Sequence, residues 1–138
     1  MKIFLLGGSG FIGGNIKSSL ENAGHHVISP DSKKINLANP LAQQLPISHP
    51  SILIYSAGIP RSQSDTQEMC DLNIKMLSHA LNAVPLGALA GIIFISSAEV
   101  YGNSHTLPLK ETTPLSPQSP YAQSKITQEN MILNFSTL

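Results

Sequence analysis

Ile3-Phe4-Leu5-Leu6-Gly7-Gly8-Ser9-Gly10-Phe11-Ile12-Gly13 is the stretch that decides the fold. Four apolar residues run into a cluster of glycines, after which Phe11, Ile12, Ile16 and Leu20 recur at helical spacing until Gly24. A short apolar run that stops at glycine fits a strand buried on both faces, and the spacing after it fits a helix. Read from Gly8 the glycines form G-x-G-x-x-G; read from Gly7 they form G-x-x-G-x-x-G. Either way, one glycine makes the turn, one lets the backbone approach a pyrophosphate, and one lets helix and strand pack closely. The helix amino terminus behind them offers unpaired N–H groups and a partial positive charge to phosphates. A tight turn alone would also use glycines. Their place between a strand and a helix is what points to a dinucleotide.

The alternation continues outward. Val27-Ile28 is a second short strand, ended by Pro30, and Ile35-Asn36-Leu37 after a brief polar link counts as a third. Leu41 to Leu45 reads as a short helix closed by Pro46. Ser51 to Tyr55 is the fourth strand, Thr66 to Val84 a helix ended by Pro85, and Gly91 to Ser96 the most apolar strand. Residues 102–120 are rich in proline and glycine and read as a loop. A last helix starts at Pro120, where proline suits the first helical position and Ser119 can cap. Strands alternating with helices predict an α/β fold, a Rossmann doubly wound parallel sheet of about five strands with helices on both faces. Ligands of such sheets bind at the carboxyl ends of the strands. If no further strand followed, Ile92 to Ile95 would form a flat, uncharged edge, a template for pairing with another chain. A homodimer is therefore one expected state.

The bulk composition narrows the classes. A chain of 138 residues predicts one domain, spanning residues 1–138. Eight basic and eight acidic residues leave no net charge, which argues against a general nucleic-acid surface. No run approaches the roughly 18 apolar residues that span a membrane. The apolar stretch at Ile3–Leu6 is too short for a secretory signal, and no small-residue cleavage site follows it. The lone cysteine, Cys70, can form no internal disulfide; it reads as a small apolar helix residue and fits a reducing cytoplasm. His25, His26, His49, His79 and His105 show no ligand spacing, so no metal site is expected.

Two further features carry chemistry. Asp31 follows the second strand, where a carboxylate should bind the adenosine ribose hydroxyls and repel a 2′-phosphate, favouring NAD over NADP. Lys33 and Lys34 pull the other way, since a nearby cation could hold that phosphate. Tyr121 and Lys125 lie four residues apart and share a helix face. Bringing a phenol from its ordinary pKa near 10 to neutrality takes about 4 kcal/mol. A lysine ammonium about 4 Å away supplies that order at an effective dielectric near 20. Ser97, just beyond the last strand, would hold a substrate oxygen beside the tyrosine, with Ser96 the second choice.

G-G-S-G-F-I-G (residues 7–13), S-S-A-E-V-Y-G (96–102) and S-P-Y-A-Q-S-K (119–125) together resemble the NAD-dependent epimerase/dehydratase family, the extended short-chain dehydrogenases/reductases. The resemblance covers essentially the whole chain. It implies that Gly7, Gly10, Phe11 and Ile12, with Gly13 in the same loop, hug the pyrophosphate of NAD and that Asp31 binds the ribose. Asn36 and Leu37 would flank the adenine; Ser56, Ala57 and Gly58 would line the cofactor; Asn73 would lie near its nicotinamide end. Ser97, Tyr121 and Lys125 match the family's catalytic residues, and Tyr121 and Lys125 also touch the cofactor.

Two positions depart from the family pattern. Asn36 stands where the family usually has an aspartate. Ala98 stands where similar 4,6-dehydratases carry an aspartate acid, which disfavours dehydration. Glu99 matches a glutamate that is a base in some relatives and common in others, so its role stays open between base and structural residue. The resemblance further implies a nucleotide-sugar substrate and a second lobe to bind it, which this chain lacks. The expectation is a sugar-nucleotide epimerase or reductase working by hydride transfer. The rival readings are a non-catalytic NAD-binding module and an inactive fragment of such an enzyme.

Overall fold

Ile3 to Leu6 form the centre of the molecule because both faces of this apolar run are covered. In the computed structural model, which describes residues 2–103 and 107–135, β1 (Lys2–Leu6) lies between β2 (His26–Ile28) and β3 (Ser51–Tyr55). β4 (Leu89–Phe94) pairs with the far side of β3. All pairings are parallel, and the sheet order is β2-β1-β3-β4. Successive side chains of a strand point to opposite faces. Accordingly, Ile3, Leu5 and Ile54 pack under Ile16 and Leu20 of α1 (Phe11–Asn22). Phe4, Leu6, Leu53 and Tyr55 pack on the opposite face with Leu77, Ala80 and Leu81 of α2 (Gln67–Asn82). Met131, Ile132 and Phe135 of α3 (Pro120–Phe135) close that second layer.

Local chemistry sets the helix ends. The Thr66 hydroxyl accepts the Met69 N–H at the start of α2, and Glu68 in the first turn complements the helix dipole. Ser119 Oγ accepts the Ala122 N–H at 3.1 Å, so Ser119 caps α3 and Pro120 opens it, as the sequence implies. Cys70 is buried in α2.

Three elements differ from the sequence reading. There are four strands among the described residues, not about five, because Ile35-Asn36-Leu37 is not a strand. Local bonds hold the turns on either side of it and engage the Ile35 N–H. Asp31 Oδ1 accepts from Lys33 and Lys34, Asp31 O accepts from Ile35, and Asn36 Oδ1 accepts from Ala38. Leu41 to Leu45 is not helical either. Pro40 and Pro46 bracket a segment too short to nucleate. Leu45 and Ile47 instead drop into the core beside α2, with the Leu45 N–H bonded to Ala83 O. The last strand is Leu89–Phe94 rather than Gly91–Ser96, with a register shift opposite Ser51/Ile52. A 3₁₀ helix at Ala98–Tyr101 follows it. The reading of residues 102–120 as a loop holds where it is described; His105 lies outside the described residues.

β4 pairs only with β3 among the described residues, and Ile93 on it is 51% exposed.

The glycine turn is tightly packed. A Cβ on Gly13 would stand 2.1 Å from Gly7 O, whereas one on the neighbouring Gly14 would stand 3.5 Å from Gly8 O, an ordinary contact. Gly13→Ala should therefore lower stability by about 1–3 kcal/mol. Gly14→Ala in the same helix should raise it by roughly 0.5–1 kcal/mol through the unfolded chain. Urea unfolding midpoints of the two variants check this; equal effects would mean that Gly13 is not a packing residue.

Candidate active site

The carboxyl ends of β1, β3 and β4 open into a trough. At its middle, Gly7 takes a φ of +91°, and a Cβ there would sit 2.4 Å from Ala57 N, so only glycine fits between β1 and the chain leaving β3. Gly10 N–H closes the turn on Gly7 O at 3.0 Å. α1 begins at once, with no side-chain cap and no acidic residue in its first turn. Its first N–H groups and partial positive charge are therefore not answered by its own cap or first turn, which suits a bound pyrophosphate. Phe11 and Ile12 are 88% and 52% exposed at this helix start.

Two cavities run along the trough and share Gly10, Ser56, Ala57 and Gly58. The first, about 250 Å³, is bordered by Gly7, Pro30, Ser32, Ile35, Asn36, Leu37 and Met76. The second, about 400 Å³, is bordered by Phe11, Ile12, Gly13, Pro60, Ser96, Tyr121 and Lys125. The glycine loop, Asn36, Leu37, Ser56–Gly58, Tyr121 and Lys125 thus come together, as the sequence anticipates.

Three expected residues sit differently. Asp31 is exposed beside the first cavity rather than in its lining, and one carboxylate oxygen holds the turn at Lys33 and Lys34. Asn73 is buried on α2, and its side chain grips Ile59 at both ends, accepting its N–H at 2.8 Å and donating to its carbonyl at 3.0 Å. Its contribution to the trough is to hold Ile59, a residue of the second cavity's wall. Ser97 Oγ accepts the Glu99 N–H at 3.2 Å and caps the 3₁₀ helix, so its hydroxyl proton remains to be donated. Ser96, not Ser97, borders the cavity, with its hydroxyl bonded to Glu129.

Tyr121 and Lys125 lie one turn apart on α3, the ammonium 5.7 Å from the phenol ring centroid. Lys125 is buried, donates to Ile95 O at 3.0 Å and stands 4.8 Å from the Phe94 ring centroid. Burial pushes it down to about 8, with Glu129 opposing. For Tyr121 the structure corrects the expected sign. Its phenol is pushed up, first by burial, then by the Glu99 carboxylate, then by Cys70. Burial dominates, and Lys125, bonded to Ile95 O, does not offset it.

Sequence reasoning missed Arg61, Asp65 and Glu129. Asp65 Oδ1 accepts the Tyr121 N–H at 3.1 Å. Arg61 bridges Asp65 at 2.9 Å and Glu99 at 2.8 Å. Glu129 was legible, since it follows Lys125 by one helical turn. Arg61 and Asp65 pair locally, four residues apart, but their links to Glu99 and Tyr121 carried no local signal because those partners are far along the chain.

Residues 3–137 match the NAD dependent epimerase/dehydratase family. The UDP-glucose 4-epimerase of Lacticaseibacillus casei is 27% identical over 154 residues, covering 96% of this chain and 46% of that enzyme. A UDP-galactose 4-epimerase structure shares the fold at a TM-score of 0.82 and 21% identity, over 100% of this chain and 52% of its own. RMD from Pseudomonas aeruginosa, solved in complex with NADPH, is 26% identical with a TM-score of 0.79, covering 99% of this chain and 50% of its own. The chain spans about half the length of the curated relatives it matches.

The buried lysine has a measurable signature. A lysine whose pKa falls to about 8 on folding binds its proton less tightly folded than unfolded. The unfolded state then holds more protons between about pH 8 and the ordinary lysine value near 10.4, and stability rises with pH across that window. The wild type should gain about 3 kcal/mol relative to Lys125→Met between these limits. Urea unfolding of both proteins from pH 7 to 11 measures the difference; a flat difference would mean that Lys125 is not depressed.

Proposed function

Since the chain belongs to the NAD-dependent epimerase/dehydratase family, we propose that residues 1–138 form the cofactor-binding domain of an enzyme that moves hydride at a nucleotide-sugar carbon. One observation carries the reading: Tyr121 and Lys125 border the same cavity as Phe11, Ile12 and Gly13 at the start of α1. The pyrophosphate would rest on Gly7, Gly10 and the α1 amino terminus, with the adenine side against Asn36 and Leu37. Bound NAD supplies the hydride acceptor and donor.

The chain's own residues handle the proton. As the sugar carbon loses hydride to the bound cofactor, its hydroxyl proton would pass to the Tyr121 phenolate oxygen, and on reduction the phenol would return it. Lys125, still mostly protonated at neutral pH and one helical turn away, is the cation that would have to offset the burial and the Glu99 charge opposing that phenolate. Ser97, whose hydroxyl accepts the Glu99 N–H and can still donate, or Ser96 at the cavity wall, would hold the sugar oxygen. Epimerisation or reduction fits better than dehydration. Ala98 offers no acid, and Glu99 is engaged by Arg61. A purely NAD-sensing module would have no use for a tyrosine–lysine pair on the cavity wall. No helix among the described residues is long and apolar enough to cross a membrane, and the buried lone Cys70 fits a reducing cytoplasm.

Asp31 leads us to propose NAD rather than NADP, through electrostatic repulsion of a 2′-phosphate. Calorimetric titration of the chain with both cofactors should give tighter NAD binding; equal or tighter NADP binding would assign the pocket to Lys33 and Lys34. In a full-length context, Tyr121→Phe should lower kcat by about 10²–10⁴-fold with little change in NAD affinity. Retention of more than about a tenth of the activity would remove Tyr121 from the acid/base role and favour a binding module.

A further inference from the structure

We propose that Arg61 is a positioning residue for Tyr121: through Asp65 it holds the backbone of the tyrosine, and through Glu99, which is bonded to the Ser119 cap of the same helix turn, it balances the neighbouring carboxylate. The sequence reading left Glu99 open between base and structural residue, and no role attached to Arg61 or Asp65.

The geometry joins three separate elements at one point. Arg61 lies in the segment after β3, between Pro60 and Ser62, both of which border the second cavity. Its Nε meets Asp65 Oδ2 at 2.9 Å, and the other oxygen of Asp65 accepts the Tyr121 N–H at 3.1 Å. Its Nη1 meets Glu99 Oε2 at 2.8 Å. The same Glu99 oxygen accepts from Ser119 Oγ at 3.4 Å, and Ser119 Oγ caps α3 at Ala122. Through these two carboxylates the guanidinium links the loop and the 3₁₀ helix to the first turn of α3, Asp65 at the Tyr121 backbone and Glu99 at the Ser119 cap. A planar fork with several fixed N–H donors can do this; a single ammonium cannot reproduce both contacts in the same plane.

An exposed ion pair usually adds little to stability, and Arg61 is half exposed. The effect lies instead in what surrounds the phenol. Glu99 from the 3₁₀ helix and Cys70 from α2 both push Tyr121 up. Asp65 holds its N–H, and Lys125 approaches from its own helix. Of these, only Glu99 is directly paired with Arg61 and also acts on the phenol. With Arg61 in place, the Glu99 charge is balanced at 2.8 Å. Without it, a bare carboxylate would oppose the phenolate that proton transfer from a sugar hydroxyl requires.

The consequence for catalysis rests on the reading of Tyr121 as acid/base, but the test reads the phenol directly. The chain is labelled with carbon-13 tyrosine and titrated from pH 8 to 12 by NMR. Loss of one resonance in Tyr121→Phe assigns it among the three tyrosines. Arg61→Gln should raise the Tyr121 midpoint by roughly half a pH unit, and Glu99→Gln should lower it by a similar amount. Arg61→Lys should recover part of the Arg61→Gln shift. Both shifts should shrink in high salt, as charge effects do and packing effects do not. Lys125, held down to about 8 by burial, is common to all these variants, so the comparison is between their differences. Shifts of the same sign in Arg61→Gln and Glu99→Gln, or no shift in either, would overturn the inference. Opposite shifts together with an active full-length Tyr121→Phe would uphold the clasp and sink the acid/base reading alone.

Discussion

Everything in this molecule depends on the contact between the glycine turn and the segment leaving β3. Gly7 lies so close to Ala57 that a Cβ would overlap its backbone nitrogen at 2.4 Å, and Gly13 lies equally hard against Gly7. With side chains at either point, α1 could not start where it does. The helix would tilt away, its free N–H groups would turn from the trough, and the layer over Ile3, Leu5 and Ile54 would open. One steric constraint thus fixes both the packing of a helix on the sheet and the placing of a positive helix end where strands terminate. Stability and ligand geometry share the same few atoms.

The other end of the trough is built by different physics. Tyr121 and Lys125 are brought to it by a helix whose first turn is held almost entirely by polar contacts from elsewhere in the chain. Ser119 caps from its own segment, Asp65 from the loop after β3, and Glu99 and Arg61 lock these to the 3₁₀ helix. Lys125 is buried with its ammonium on Ile95 O and close to the Phe94 and Tyr121 rings, a placement that destabilises the charged form. Natural proteins tolerate such cost where a titratable group must respond to its surroundings. The phosphate end is therefore a matter of backbone shape, and the chemical end a matter of charge balance.

Much of this was legible in the residues themselves. The glycine turn, the start of α1, the strand Ser51–Tyr55, the cap at Ser119 and the shared face of Tyr121 and Lys125 are local features. Each is specified by neighbours within one or two turns, through steric limits on φ, hydrophobic period or capping. The misreadings at Ile35–Leu37 and Leu41–Leu45 share a cause. Their apolar residues do reach the core, but Asp31, Asn36 and two prolines divert the backbone, and burial alone does not say in which conformation a residue is buried.

The sequence by itself determined the order of the elements, the parallel sheet and the trough's position at its carboxyl edge, because periodicity and glycine sterics act over a few residues. Only the tertiary structure decided the electrostatics of the site. It placed Asn73 beneath the trough wall rather than in it, turned Ser97 toward a cap, and set Glu99 against Tyr121 while Arg61 balanced it. These outcomes depend on distances between residues far apart in the chain, and Coulomb energies and desolvation follow distance in space, which no local pattern encodes.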